Sequence, residues 1–136
     1  MNRDGLDELP RAECLRLLGS VRLGRIVYTL QALPAVAVVN FAMHDGGVVF
    51  RTDGTRRLEA ATRHTVVAFE ADELDRDTHW GWSVTVVGTA DEITDTADIT
   101  TLTTLGLDPW APGREMHFIR ISPELVTGRR IHPAPA

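Results

Sequence analysis

One stretch limits the possible folds of this chain more than any other. Pro34-Ala35-Val36-Ala37-Val38-Val39-Asn40-Phe41 is a nearly continuous apolar run. It is followed by His44-Asp45-Gly46-Gly47 and then by a second run, Val48-Val49-Phe50-Arg51-Thr52. Asp-Gly between two β-rich runs is a strong hairpin signal, because both central residues of the tightest hairpin turn need positive φ. A run as apolar as 35–41 predicts burial on both faces rather than a half-wetted strand.

Further short runs follow the same pattern. Gly24–Leu30, Thr65–Ala71, Gly81–Ile93 and Met116–Ile121 are rich in β-branched and aromatic residues and are bounded by turn formers. Within the longest, Val84, Val86 and Gly88 alternate with Thr85, Val87 and Thr89, the period of a strand. Pairing resumes at Val126-Thr127-Gly128-Arg129. Helices are expected only at the margins. One spans 10–18 with Pro10 in its first turn, a short one spans about 56–63 behind Asp53 or Thr55, and a threonine-rich one spans 96–105 capped by Asp95. Residues 72–80 read as a charged loop and 132–136 as a frayed tail. Six short strands in mostly consecutive order predict a mainly β, antiparallel barrel in one domain over 1–136, since closure removes exposed sheet edges.

Composition then narrows the chemistry. The formal charge is −5, which argues against a nucleic-acid partner. The longest apolar runs fall short of the ~20 residues of a membrane helix, and the opening residues do not read as a signal peptide. A lone cysteine, Cys14, excludes an internal disulfide framework and fits a cytoplasmic setting. All fourteen basic residues are arginine. Without lysine there can be no Schiff base to pyridoxal phosphate and no phosphate loop ending in lysine. Any phosphate held here is held by arginine, hydroxyls or backbone amides.

Phe50-Arg51-Thr52-Asp53-Gly54-Thr55-Arg56-Arg57-Leu58 offers such a place. A buried strand ends, a turn follows, and a helix begins with a hydroxyl and two arginines. Unpaired N–H groups at a helix start attract anions, and a guanidinium adds a bidentate fork.

The order and spacing of these pieces, with Val67-Ala68-Phe69-Glu70-Ala71-Asp72, Trp82-Ser83-Val84-Thr85-Val86-Val87-Gly88-Thr89-Ala90 and the closing Thr127-Gly128-Arg129-Arg130-Ile131, resemble the pyridoxamine 5'-phosphate oxidase-like proteins over about 10–130. The resemblance implies a six-stranded FMN-binding split barrel, paired as a homodimer with FMN at the subunit interfaces. It implies that Val38, Val39, Asn40 and Phe41 line the isoalloxazine edge, largely through backbone groups. Arg51 and Thr52 would lie beside the ribityl chain and phosphate, and Thr55, Arg56 and Arg57 would hold the phosphate. Trp82 and Ser83 would sit where a partner subunit reaches the flavin. The family's basic pair is commonly Arg-Lys, and here it is Arg-Arg. The C-terminal residues by which the larger oxidases grip their substrate have no match, so neither a substrate nor a catalytic residue follows. The implied activity is electron or hydride transfer with a small-molecule substrate or donor. A deazaflavin on the same barrel, with Arg22, Arg25 and Arg63 as candidates for its acidic tail, and a non-catalytic flavin- or haem-binding protein stand as alternatives.

The remaining conspicuous residues fit more than one role. Trp80 and Trp82, two apart, are expected on one strand face, as a flavin wall or as core. Trp110 is a loop anchor or a lid. His44, His64, His79, His117 and His132 show no zinc-site spacing, so no metal is expected. His79 and His117 are the two placed to approach a flavin or ligate haem. Cys14 reads as inert packing.

Overall fold

A computed structural model describes residues 6–52, 58, 62–107 and 117–133. Its elements are β1 (Leu6–Glu8), α1 (Arg11–Leu18), β2 (Leu23–Leu30), β3 (Leu33–His44), β4 (Gly47–Thr52), β5 (Thr65–Leu74), β6 (Gly81–Glu92), α2 (Thr96–Leu102), β7 (His117–Ile121) and β8 (Leu125–Ile131). All pairings are antiparallel. Strands β6-β5-β2-β3-β4-β7 run in sequence of neighbours, and β7 pairs back onto β6, which closes a six-stranded barrel.

The split lies in β6. Its first half, Gly81–Val87, pairs with β8, and its last residues, Ala90–Glu92, pair with β7. Between them the β7–β8 turn sits directly on the strand, with Ser122 N–H donating to the Thr89 carbonyl at 3.0 Å and Glu124 N–H to the Val87 carbonyl at 3.1 Å. A Cβ on Gly88 would collide with the Ser122 carbonyl. Glycine is therefore what lets the turn close down between the two halves.

The β3–β4 hairpin turns at Asp45 and Gly46 (φ 48° and 74°), the paired positive φ values that match strand twist. Strand alternation sends Val39, Phe41, Phe50, Phe69, Val84, Val86, Ile119 and Ile121 into the barrel. The Phe41 and Phe69 rings meet edge-on with centroids 4.7 Å apart, a favoured aromatic geometry. Helix α1 packs on β8 and β6 and buries Cys14, Leu17 and Leu18. Helix α2 covers the outer face of β4 and β7, where Leu102, Leu107, Val49 and Phe118 form a second cluster. No helix among the described residues is long and apolar enough to cross a membrane.

Several local expectations shift. The run 35–41, expected to be buried on both faces, leaves Val36 and Val38 exposed on its outer side in the single chain. The charged segment 72–74 is strand, not loop, because Asp72, Glu73 and Leu74 complete the ladder with Ser83, Trp82 and Gly81, and pairing outweighs propensity. The short β1, docked on β8, goes unsignalled in the sequence. Pro10 is the extended residue before α1 (ψ 156°) rather than part of its first turn. Helix α2 stops at Leu102, with threonine hydroxyls such as Thr103 and Thr104 turned back onto carbonyls. Most of the expected helix over 56–63 lies outside the described residues, although Leu58 is helical.

Candidate functional site

Strand alternation divides the expected cofactor residues into two groups. Val39, Phe41, Thr52 and Trp82 are buried, and Val39, Phe41 and Trp82 belong to the main core. Their side chains serve the fold, so any part they take in a site runs through their backbone. Val38, Asn40, Arg51 and Ser83 occupy the alternate positions, facing the outside of the barrel. Thr55, Arg56 and Arg57 lie outside the described residues.

Asn40 and Arg51 stand one step beyond the Phe41–Phe50 pair and are therefore neighbours across the β3–β4 ladder. Arg51 also pairs with Phe118, and its guanidinium carbon lies 5.7 Å from the centre of that ring. Such a cation–π contact holds the charge on the wall instead of letting it wander. Beside Asn40 opens a cavity of about 360 Å³. It runs from Gly19 and Arg22, past Ala42, to Leu105 and Leu107. A second hollow of about 480 Å³, lined by Ser20, Arg25, Asp72 and Glu73, shares Val21 and Arg22 with the first. Arg22 thus stands between two hollows, each in the size range of small-molecule sites.

The outer wall carries two features that the sequence alone does not reveal. Val36, Val27, Ala68, Val87 and Leu125 are successive ladder partners, so they form one apolar row across β3, β2, β5, β6 and β8. Val36 is 62% exposed and Leu125 57%. Beside that row, Arg25 reaches Glu70 at 3.2 Å and Asp72 at 3.5 Å. Burial and the adjoining Asp72 carboxylate push the Glu70 carboxyl up to about 7, against the pull of Arg25. Both features depend on register, which only long-range pairing fixes.

The histidines and tryptophans also find places. His117 pairs with Thr52, whose hydroxyl donates to its carbonyl at 3.5 Å, and its Nδ1 lies 3.2 Å from Glu92 Oε1 at the barrel mouth. His79 has φ 62° and belongs to a turn in which its N–H donates to the Asp75 carbonyl at 2.9 Å. That turn ends just before β6 begins, so Trp80 does not share a strand face with Trp82. Trp80 is half exposed, with its ring 5.8 Å from that of His132, whereas Trp82 is core. Trp110 lies outside the described residues.

Comparison with known proteins places this geometry. The family model described as pyridoxamine 5'-phosphate oxidase matches residues 10–130. The chain is 43% identical over 129 residues to an uncharacterized protein of Mycobacterium tuberculosis, covering 91% of this chain and 84% of that one. Among solved structures it is similar to an FAD binding protein from Mycobacterium smegmatis, with TM-score 0.80 and 37% identity over 93% of this chain and 99% of that one. An FAD and heme binding protein from the same organism shares the fold, at TM-score 0.75 and 14% identity, over 97% of this chain and 76% of that one.

Proposed function

The chain belongs to the pyridoxamine 5'-phosphate oxidase family, and from that premise we propose that it binds a flavin on the outer wall of its barrel, where two copies of the chain meet, and serves electron or hydride transfer with a small-molecule partner in the cytoplasm. The observation that carries this reading is a ring-anchored Arg51 on the outer face, one step beyond the Phe41–Phe50 pair on the Asn40 side, with a cavity beside Asn40; in the sequence Thr55-Arg56-Arg57 follows shortly after.

The residues fit the group. In a chain without lysine, Arg51, Arg56 and Arg57 follow one another closely in the sequence after Phe50. Thr55 adds a hydroxyl, and guanidinium forks suit phosphate oxygens. The Phe41 N–H is already given to the Arg22 carbonyl at 2.9 Å, so by alternation the backbone groups of Val38 and Asn40, on the other edge of β3, are the ones suited to the carbonyl edge of the ring. A bound flavin supplies the redox chemistry; the protein supplies binding, orientation and exclusion of water. FMN satisfies the socket with one phosphate. FAD, which the 37% identical relative is described as binding, carries the same phosphate and extends further, and Arg22 between the two hollows suits that extension.

The homodimer is supported by the apolar row on the outer wall. A barrel strand that faces water alternates with polar residues, whereas this wall presents valine, alanine and leucine across five strands in register. Around a two-fold axis such a row meets itself. Ser83 lies on the same outer side of β6 as Val87, where a partner's cofactor would come within reach.

Titration of the purified chain with FMN and with FAD, read by flavin fluorescence and by the visible spectrum, tests the reading. Replacing Arg56 and Arg57 together by alanine should weaken flavin binding by several kcal/mol, as each charge-assisted contact contributes about 1.5–3 kcal/mol. Arg51→Ala should remove a comparable single contact. Unchanged affinity in all of these variants would overturn the socket. A Soret band in place of flavin bands would move the reading to haem.

A further inference from the structure

The cluster at the far end of the β3–β4 hairpin belongs to neither the flavin wall nor the core. His44, the last residue of β3, points its Nε2 between two carboxylates, 3.5 Å from Asp45 Oδ2 and 3.6 Å from Asp98 Oδ1. That nitrogen is buried and makes no hydrogen bond; the two carboxylate contacts are at ion-pair range only. One ligand atom from each of the three residues lies within 4.8 Å of the others.

These distances match a shared cation better than a direct contact. A zinc-class ion binds imidazole nitrogen and carboxylate oxygen at about 2.0–2.2 Å, and two such bonds at a tetrahedral angle set the donor atoms roughly 3.4 Å apart. The charges point the same way. The nearby Arg120 guanidinium donates to the Asp45 backbone carbonyl at 2.8 Å and to Ser122 Oγ at 3.1 Å, and so is turned to groups other than the two carboxylates. Capping of α2 is done by Asp95, which accepts from the N–H groups of Ala97 and Asp98 at 2.9 and 3.2 Å. The Asp98 carboxylate is therefore left facing the hairpin.

We propose that His44, Asp45 and Asp98 form a three-ligand site for a divalent ion of the zinc class, which fastens α2 to the β3–β4 hairpin. With three protein ligands, water completes the coordination. The mechanical consequence follows from position. Helix α2 carries Leu102 and leads into Leu105–Leu107, the wall that closes the 360 Å³ cavity. A metal at its first turn holds that wall against the barrel. The ligands come from positions 44, 45 and 98, so the local spacing that marks sequence-contiguous zinc sites is missing.

The test uses untagged, EDTA-dialysed protein titrated with Zn²⁺ by calorimetry, alongside thermal melts with and without Zn²⁺. The expected result is one ion bound per chain with a raised melting temperature. Both effects should fall by about tenfold or more in affinity in His44→Ala and in Asp98→Asn, the latter an exposed change that leaves packing intact. His64→Ala and His117→Ala remove two other histidine–carboxylate contacts, at 2.9 and 3.2 Å, and should bind as the parent does. No Zn²⁺ binding, or binding that survives both His44→Ala and Asp98→Asn, would overturn the site.

Discussion

The two faces of β3 share one backbone and do different work. On the inner face Val39 and Phe41 are buried among Phe50 and Phe69, with Ala37 and Met43 packed against them. On the outer face Val36 and Val38 are exposed, Asn40 borders a cavity and His44 joins two carboxylates. The inner face is specified by volume, and its residues make no demand beyond fit. The outer face leaves Val36 and Val38 open to water in the single chain. Outward apolar and functional residues do little for the folding of one chain, which is why they are assigned to the proposed second copy and cofactor.

That contrast breaks most sharply inside. Phe41→Ala removes a ring that is 1% exposed and edge-packed on Phe69. It should cost about 3–5 kcal/mol of stability, read by urea denaturation. Val38→Ala, three positions away on the other face, should cost under about 1 kcal/mol in the isolated chain. Similar losses from both changes would mean that the faces are not divided as described.

The outer row can be broken without touching the core. Val36→Asp places a carboxylate in a position that is 62% exposed in the single chain. The circular dichroism spectrum should be preserved. If two copies pair through this row as proposed, sedimentation should show their dissociation constant raised by about tenfold or more, because an unpaired charge buried between subunits costs several kcal/mol. Flavin affinity should fall with it if the site is completed by the second copy. A dimer untouched by Val36→Asp would place the subunit contact elsewhere.

How far the sequence could be read follows the same division. The hairpin at Asp45-Gly46, the alternating β6 and the Asp95 cap were all legible, because each is written in residues close together in the chain. The sorting of Val39, Phe41, Thr52 and Trp82 inward and of Asn40 and Arg51 outward follows from alternation once the strands are fixed. The apolar row, the Arg25–Glu70–Asp72 group and the His44–Asp45–Asp98 cluster were not legible. They join residues tens of positions apart, and only the ladder register Val27↔Ala68 or the docking of α2 brings them together. Trp80 misled for a local reason. Its spacing from Trp82 implies a shared strand face, but the positive φ of His79 ends the turn one residue before the strand begins.

The smallest expected effect bears on the outer wall alone. Glu70 titrates near 7, raised by burial and by Asp72 and restrained by Arg25 at 3.2 Å. In the unfolded chain a glutamate titrates near its ordinary value of about 4.3. The folded state therefore holds this proton more tightly. Its contribution to stability is complete below the unfolded value and is lost as pH rises through about 7. Glu70 is partly exposed, so solvent screening keeps the effect small. Glu70→Gln keeps the shape and removes the charge. Its melting temperature should equal the parent's near pH 4 and exceed it by about 1–3 °C at pH 8, with the difference growing between those limits. The inner-face variant Phe41→Ala should show no such pH-dependent gap. If the Glu70→Gln and parent curves run parallel from pH 4 to pH 8, the carboxylate is fully solvated, and the outer wall is more open to water at β5 than its geometry implies.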